Sequence, residues 1–480
     1  MIRIYNTLTR TKVKFEPLSA GKVKMYACGI TPYDEIHIGH ARQAVVYDVI
    51  RNYFEYSNFE VAYVRNFTDV DDKIIKRANE DGRPSSEISA HYIEENSRDL
   101  RRLKVREATH EPKVTECIED IIGMISGLIE KGYAYVNNGE VFFDIAKYRG
   151  YGKLSNRSKD ELINAEDTPN KRDSADFCLW KPYKEGEPFW ESPWGRGRPG
   201  WHIECSAMAM KYLGETIDIH GGGLDLIFPH HENEVAQSEA YSGKSFAKYW
   251  VHNGLVMLNG SKMSKSTGNF MTIKDALKTY FPEELRYAIL VQNYASNIDF
   301  SRDLFINARK RLYYFYSTLT RMNALLGEAG SVSPEKVPPK VRDIEKTFAE
   351  CMDDNFNTPK AISELSDAFR EINKVLASKN YPVPEKAAIF VPFLASLRRI
   401  SGVLGLLEEN PAGHVAALND RVLAEKGVAR SFIDGKVAEL LSAKAQKDYQ
   451  KADAIKRELN AAGVKLLEQN NEANWELLYD

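Results

Sequence analysis

Residues 22–30, KVKMYACGI, partly alternate apolar and polar positions and close on glycine, which predicts a strand. Residues 39–56 instead place Ala44, Val45, Val46, Val49, Ile50, Tyr53 and Phe54 at helical spacing. Residues 59–67, FEVAYVRNF, read as a strand again. Strand, helix, strand in this order is a βαβ unit, and it predicts a parallel sheet covered on both faces. Further strands are expected at 216–220 and 250–258. Between the two halves, from about 111 to 199, the chain is dense in charge, glycine and turn signals (YRGYGKLSNRSKDE, SPWGRGRPG) and reads as an insertion. Residues 276–325 are helical and aromatic-rich, 328–339 form a linker, and 340–409 carry three or four amphipathic helices in a bundle pattern. Asn410-Pro411-Ala412-Gly413 breaks the chain again, ahead of two charged helices and a short apolar strand, VKLLEQ. The expected fold is α/β. A Rossmann-like parallel sheet over 1–275, split by the insertion at about 111–199, precedes helical segments at 276–330 and 340–409 and a small C-terminal domain at 414–480.

Length and composition agree with this division. A chain of 480 residues suggests about three domains, and 43% hydrophobic with 28% charged residues is a globular composition. A net charge of -3 excludes a globally basic nucleic-acid binder, so an RNA partner has to be met by a local positive surface. The first residues, MIRIYN, lack the apolar core of a signal peptide, and the most apolar late segment, 390–407, is broken by Arg398-Arg399. No membrane is expected, and the cytoplasm is the default location. Cys28, Cys117, Cys178, Cys205 and Cys351 are few, odd in number and dispersed, which favours reduced thiols over a disulfide framework.

Three stretches carry candidate chemistry. Ligands of a parallel sheet bind beyond the carboxyl ends of its strands, and after the first strand that place holds Gly29, His37, Gly39 and His40. A helix N-terminus attracts phosphate, imidazoles can donate to phosphate oxygens, and glycine admits a flat base. Ser261 to Asn269, SKMSKSTGN, is a cationic loop suited to a triphosphate and to charge that grows in an in-line transition state. In Phe228 to Glu234, FPHHENE, Pro229 suits the first turn of a helix, on which His230 and Glu234 are i, i+4 and share a face, while His231 is displaced by about 100° and pairs better with Glu234 at i+3 or Val235 at i+4. With Cys28 and Cys205 that pair makes a four-ligand zinc set; the alternative is a polar helix face beside unrelated buried cysteines. Two look-alikes fail: SGKS at 242–245 lacks the upstream glycine of a P-loop, and HGGG at 220–223 has no matching G-x-S-x-G elbow.

The strings HIGH (37–40) and KMSKS (262–266) resemble the two signatures of class I aminoacyl-tRNA synthetases. Together with CGITPYDEIHIGHAR, NFTDVDDKI, SADFCLWK, GRPGWHIECSAM and HGGGLDLIFPHHENE they resemble the cysteinyl-tRNA synthetase family, over nearly the whole chain. The resemblance implies one Zn²⁺ per subunit on Cys28, Cys205, His230 and Glu234, reading the substrate cysteine as thiolate. It implies Thr68 and Trp201 at the substrate cysteine, His37, Gly39 and His40 at ATP, Lys262 and Lys265 at the transition state, and Gly222, Asp225 and the backbone near Val256 at adenosine. ATP with Mg²⁺, L-cysteine and cysteine tRNA are the expected partners of a monomer. The segment 276–330 is expected to contact the tRNA stem and 414–480 the anticodon. Thr267 and Cys178 depart from the family pattern, and the C-terminus matches loosely, leaving Trp475 as the late aromatic expected to stack or pack. Two rival functions share these features: a mycothiol-type ligase joining cysteine to an amino-sugar inositol, and a non-catalytic zinc and RNA-binding protein. The length after the linker and the intact His37, His40, Lys262 and Lys265 favour the synthetase.

Overall fold

The computed structural model describes residues 1–157, 169–258, 260–262, 269–327, 330–469 and 472–477. They form two compact units, one of residues 1–301, 344–365 and 399–406, the other of 302–343, 366–398 and 407–480. The first unit opens with a hairpin, β1 (Arg3–Asn6) and β2 (Thr11–Lys14), followed by the expected βαβ unit: β3 (Lys22–Ile30), α1 (Ile38–Tyr56) and β4 (Glu60–Phe67). Two helices follow, α2 (Asp72–Asp81) and α3 (Ser85–Arg102). The inserted segment contributes α4 (Ile118–Glu130) and an antiparallel sheet of β5 (Ala134–Asn137), β6 (Glu140–Phe143), β7 (Phe177–Pro182) and β8 (Gly197–Pro199). The chain then returns through α5 (Trp201–Leu213), β9 (Ile217–Gly223), α6 (Glu232–Ser242) and β10 (Ala247–Asn253).

The central sheet is parallel throughout, in the order β10-β9-β3-β4. β9 is buried at every residue and β4 and β10 at nearly all, while β3 is buried through its middle, as a sheet covered on both faces requires. The chain leaves β3 for β4 on one side and comes back to β9 on the other. The carboxyl ends of β3 and β9 therefore flank a switch point, where an open α/β sheet binds its ligands. The insertion is fused to this sheet by one core, in which Tyr26 and Val64 join Phe143, Phe177, Leu179 and Trp180 of the inserted strands and Ile203 and Met208 of α5.

The expected strand at 250–258 is two strands in two sheets. β10 ends at Asn253, and β11 (Val256–Leu258) pairs instead with β12 (Ser261–Lys262) and β13 (Ile298–Phe300). The chain turns at Gly254, where a Cβ would lie 2.2 Å from the Ser296 carbonyl oxygen, so only glycine fits. β13 lies inside the segment expected to be helical, between α8 (Pro282–Leu290), which follows α7 (Ile273–Thr279), and the long α9 (Arg302–Asn323).

Helices α10 (Pro339–Arg342), α11 (Ile344–Asp353), α12 (Thr358–Ala377) and α13 (Val383–Leu404) follow. α13 is long and apolar enough to cross a membrane by length and composition, with a mean hydropathy of 1.5 despite Arg398-Arg399, and half of that span is buried in the protein. The break expected at Asn410 starts a helix instead. Asn410 accepts the Gly413 N–H as an N-cap and Pro411 takes the first position of α14 (Pro411–Lys426). The tail thus holds three helices, with α15 (Arg430–Ala445) and α16 (Tyr449–Ala461), before the hairpin of β14 (Val464–Gln469) and β15 (Glu472–Leu477). These elements close a separate core around Ile433, Leu440, Ile455 and Leu459. Trp475 packs against α15, donating from Nε1 to Asp434 with Arg430 over its ring.

Candidate active site

Cys28 lies near the carboxyl end of β3, Cys205 on α5, His230 in a π-helical turn at Ile227–His231 and Glu234 in the first turn of α6. The expectation that Pro229 stands in the first turn of a regular helix fails, because it lies in the π-helical turn ahead of α6. Phe228 is extended (φ -138°, ψ 133°), because a residue before proline is pushed out of the α region, and α6 begins at Glu232. The expected pairing of His230 with Glu234 survives, Nε2 to Oε1 at 3.0 Å. Cys28 Sγ is 3.7 Å from Cys205 Sγ and 3.5 Å from Glu234 Oε1. One ligand atom from each of the four residues lies within 4.8 Å of all the others, and all four side chains are buried.

Burial penalises charge here, yet the cluster is charged. Burial pushes the Cys28 thiol up, reinforced by Cys205 and Glu234, while the hydrogen bond from Cys28 lowers Cys205. Burial opposes charging of His230, but Glu234 and Cys205 outweigh it and raise its pKa to about 10. Burial would raise Glu234, but His220 and His230 hold it well below the ordinary range. Two thiols, an imidazole and a carboxylate converging in a buried site are a donor set that suits Zn²⁺. Groups behind them fix their orientation: His220 Nε2 lies 2.7 Å from Glu234 Oε2, and His202 Nδ1 lies 3.0 Å from His230 Nδ1.

His231 points elsewhere. Its Nδ1 is 2.8 Å from His252 Nε2, whose ring continues to Thr7 Oγ1 at 2.8 Å, while its Nε2 is 3.3 Å from Cys28 Sγ. Burial holds His231 well below the usual imidazole range and His252 down to about 3, so both rings are neutral. A smaller group of potential ligands, Cys28, His220 and His231, shares only Cys28 with the four-residue cluster.

Around the cluster, the Trp201 ring stacks on His230 at 4.2 Å while staying 40% exposed. Thr68 is buried and donates to Glu204 Oε2 at 3.0 Å. Asn66 ties these parts together: it donates to Thr68 and accepts the Gly29 N–H. Asn66, His202, Glu204 and His252 carry no signal in the sequence beyond their polarity, and His220 stands out there only as the head of the HGGG string, not as a partner of the metal-ligand set.

His37 is the N-cap of α1. Its Nδ1 accepts the Gly39 N–H at 3.1 Å, its own N–H approaches His40 Nδ1 at 3.4 Å, and the two rings stack at 3.8 Å. With both Nδ1 atoms accepting, the neutral form of each ring carries its proton on Nε2, at the positive end of a 19-residue helix. Gly222 is the second-last residue of β9, and a Cβ there would come within 3.0 Å of the His231 ring. The Asp225 carboxylate folds back to 2.3 Å from where a Gly223 Cβ would stand. Val256 is buried at the start of β11, and Lys262 ends β12. Lys265 lies outside the described residues. A pocket lined by Cys28, Gly29, His40, Gln43 and Asn66 among others runs from one of the four ligand candidates to the start of α1. Cys178 is elsewhere, on β7, donating to the Trp180 carbonyl.

Residues 14–310 match the family description "tRNA synthetases class I (C) catalytic domain", and 347–408 match "DALR domain". The chain is 48% identical to the cysteine–tRNA ligase of Syntrophotalea carbinolica and 46% identical to that of Geobacter metallireducens, in each case over 99% of both chains. Among solved structures, Mycobacterium tuberculosis methionyl-tRNA synthetase in complex with methionyl-adenylate aligns with a TM-score of 0.60, at 13% identity, over 85% of this chain and 94% of that one. A putative arginyl-tRNA synthetase from Campylobacter jejuni gives 0.56, at 13% identity, over 83% and 95%.

Proposed function

Because the chain belongs to the cysteine–tRNA ligase family of class I aminoacyl-tRNA synthetases, we propose that Cys28, Cys205, His230 and Glu234 hold Zn²⁺ and thereby select its amino acid. It is a ligase that joins cysteine to tRNA at the expense of ATP. Its relatives match through the C-terminal region, which disfavours a cysteine ligase for amino-sugar inositol.

The observation that carries the metal assignment is the convergence of four dispersed donors in one buried cluster. Serine differs from cysteine by one atom, and an apolar pocket separates such near-isosteres only about 100-fold. Zinc bound there would lower the pKa of an arriving thiol and favour thiolate over hydroxyl. Trp201 and Thr68, beside the cluster, would wall the amino acid. The carboxylate of cysteine is already ionised, so its attack on the α-phosphate needs positioning and charge stabilisation rather than a base. His37 and His40 would donate from Nε2 to the ATP phosphates at the N-terminus of α1, with Mg²⁺ accompanying the nucleotide. Gly39, Gly222, Asp225 and Val256 would seat the adenosine, and Lys262 and Lys265 would neutralise charge in the transition state. The carboxylate's attack expels pyrophosphate and leaves cysteinyl-adenylate, from which the terminal ribose hydroxyl of tRNA takes the cysteinyl group with release of AMP. We assign residues 1–275 to catalysis, with the insertion at about 111–199, 276–330 to the tRNA stem, 340–409 to a helical bundle and 414–480 to the anticodon, in a cytoplasmic monomer.

Cysteine and serine compared side by side in ATP–pyrophosphate exchange test this reading. Cysteine-dependent exchange with serine far below it is expected, together with stoichiometric zinc. Equal exchange with both amino acids would remove the metal's selective role, and exchange without transfer to tRNA would favour the small-molecule ligase.

A further inference from the structure

Arg42, two residues beyond His40 on α1, is fully buried, and among the described residues no carboxylate is its partner. Its guanidinium is instead surrounded by five main-chain carbonyl oxygens. Nη1 donates to Gly254 at 2.8 Å and Leu255 at 2.9 Å, and Nη2 donates to Asn293 at 3.2 Å, Tyr294 at 3.0 Å and Ser296. Nε has no partner among the described residues. Burial lowers the Arg42 pKa, but only to about 10, so the group stays cationic at neutral pH.

These oxygens come from two turns. Gly254 and Leu255 join β10 to β11, and 293–296 lead from α8 to β13. The turns also hold each other: the Gly254 N–H donates to the Tyr294 carbonyl, the Ile298 N–H to the Leu255 carbonyl, and Gly254 leaves no room for a Cβ against Ser296. From this junction β11 runs through Val256 into the hairpin that ends at Lys262, at the head of the KMSKS string. Five carbonyl dipoles aimed at one point repel each other unless a cation sits among them. A planar fork that reaches both turns at once suits this geometry better than a point charge.

We propose that Arg42 is a positioning residue that fixes the KMSKS-bearing β11–β12 hairpin relative to the histidines of α1. It touches no substrate. It sets where one half of the ATP site stands with respect to the other, through the main chain of both turns. This rests on the proposed seating of ATP between the two signatures. Tyr294 supports the same junction from the far side, with its hydroxyl donating to Asn355 Oδ1 at 2.8 Å.

The test is Arg42→Lys in the full chain, which keeps the charge but cannot span both turns. The kcat of cysteine-dependent exchange is expected to fall by about 100-fold, the scale of a 1 Å misplacement. Zinc content and cysteine affinity measured without ATP are expected to stay near the wild type, because the metal cluster lies on other elements. Wild-type exchange in a folded Arg42→Lys protein would overturn the proposal. So would a loss of exchange matched by equal losses of zinc and cysteine binding, which would mark a general structural role. If Arg42→Lys does not fold, Arg42→Gln, whose amide cannot span both turns, carries the test: a lower exchange kcat at unchanged cysteine affinity supports the proposal and an unchanged kcat overturns it. Absence of exchange in the wild type would instead count against the proposed function.

Discussion

His230 and His231 are neighbours in the chain, both fully buried, and they serve different partners. His230 meets Glu234 and the two cysteines, while His231 is held by His252, touches Cys28 and stands farther from Glu234, at 3.9 Å against 3.0 Å for His230. His230→Ala is therefore expected to lose bound zinc and cysteine activation, whereas His231→Ala retains the metal. Elemental analysis of the purified variants checks this, and stoichiometric zinc in His230→Ala would sink the assignment. His220 stands behind Glu234 at 2.7 Å, so His220→Ala should keep the site but weaken its metal affinity about 10- to 100-fold, read by competition with a chelating dye. Helical spacing separated His230 from His231 in the sequence, since an i, i+4 relation survives even a π-helical turn. His202 and His220 were not legible, because their roles come from chain segments far away.

α6 works on two sides at once. Toward the sheet it presents Glu234, while toward the insertion its Glu232 accepts the N–H groups of Gly152 at 2.9 Å, Leu154 at 3.5 Å and Ser155 at 2.6 Å. Asn233 and Glu239 take the hydroxyls of Tyr151 and Tyr148. Ligands and insertion are thus anchored to one helix, and a shift of the inserted loop would be felt at Glu234. Glu232→Gln replaces one acceptor oxygen by an amide that faces N–H groups. It should cost about 1–3 kcal/mol of stability, seen by chemical denaturation and by faster protease cleavage at 148–157, with the zinc ligands intact. Element types were mostly readable from periodicity. The failures lie where side-chain pattern does not decide: the split at Gly254 and the three-residue β13 depend on which main-chain groups face each other, and the Asn410 signals serve a helix start as well as a loop.

The first unit of the molecule is assembled from distant segments of chain, and one buried ion pair shows how they are joined. Arg286 on α8 donates to Asp48 on α1 at 2.6 Å, to the Leu404 carbonyl of α13 and to the Leu103 carbonyl after α3, and both charged side chains are buried. Removing one partner would leave an uncompensated charge, so Arg286→Met or Asp48→Leu should destabilise the fold by about 3–5 kcal/mol, lowering the thermal midpoint. The double replacement should recover part of that loss. Nothing in the sequence announces this pair, since its members stand 238 positions apart. By itself the sequence determined the βαβ start, the existence of an inserted segment, the two signature strings and the four metal-ligand candidates, because periodicity, turn chemistry and donor type are local properties. Only the tertiary structure decided that the four donors meet within 4.8 Å, which groups lie behind them, and that Arg42 draws five carbonyls together. Those are properties of distance between remote segments, set by how the strands order in the sheet and by which main-chain groups must be satisfied once buried.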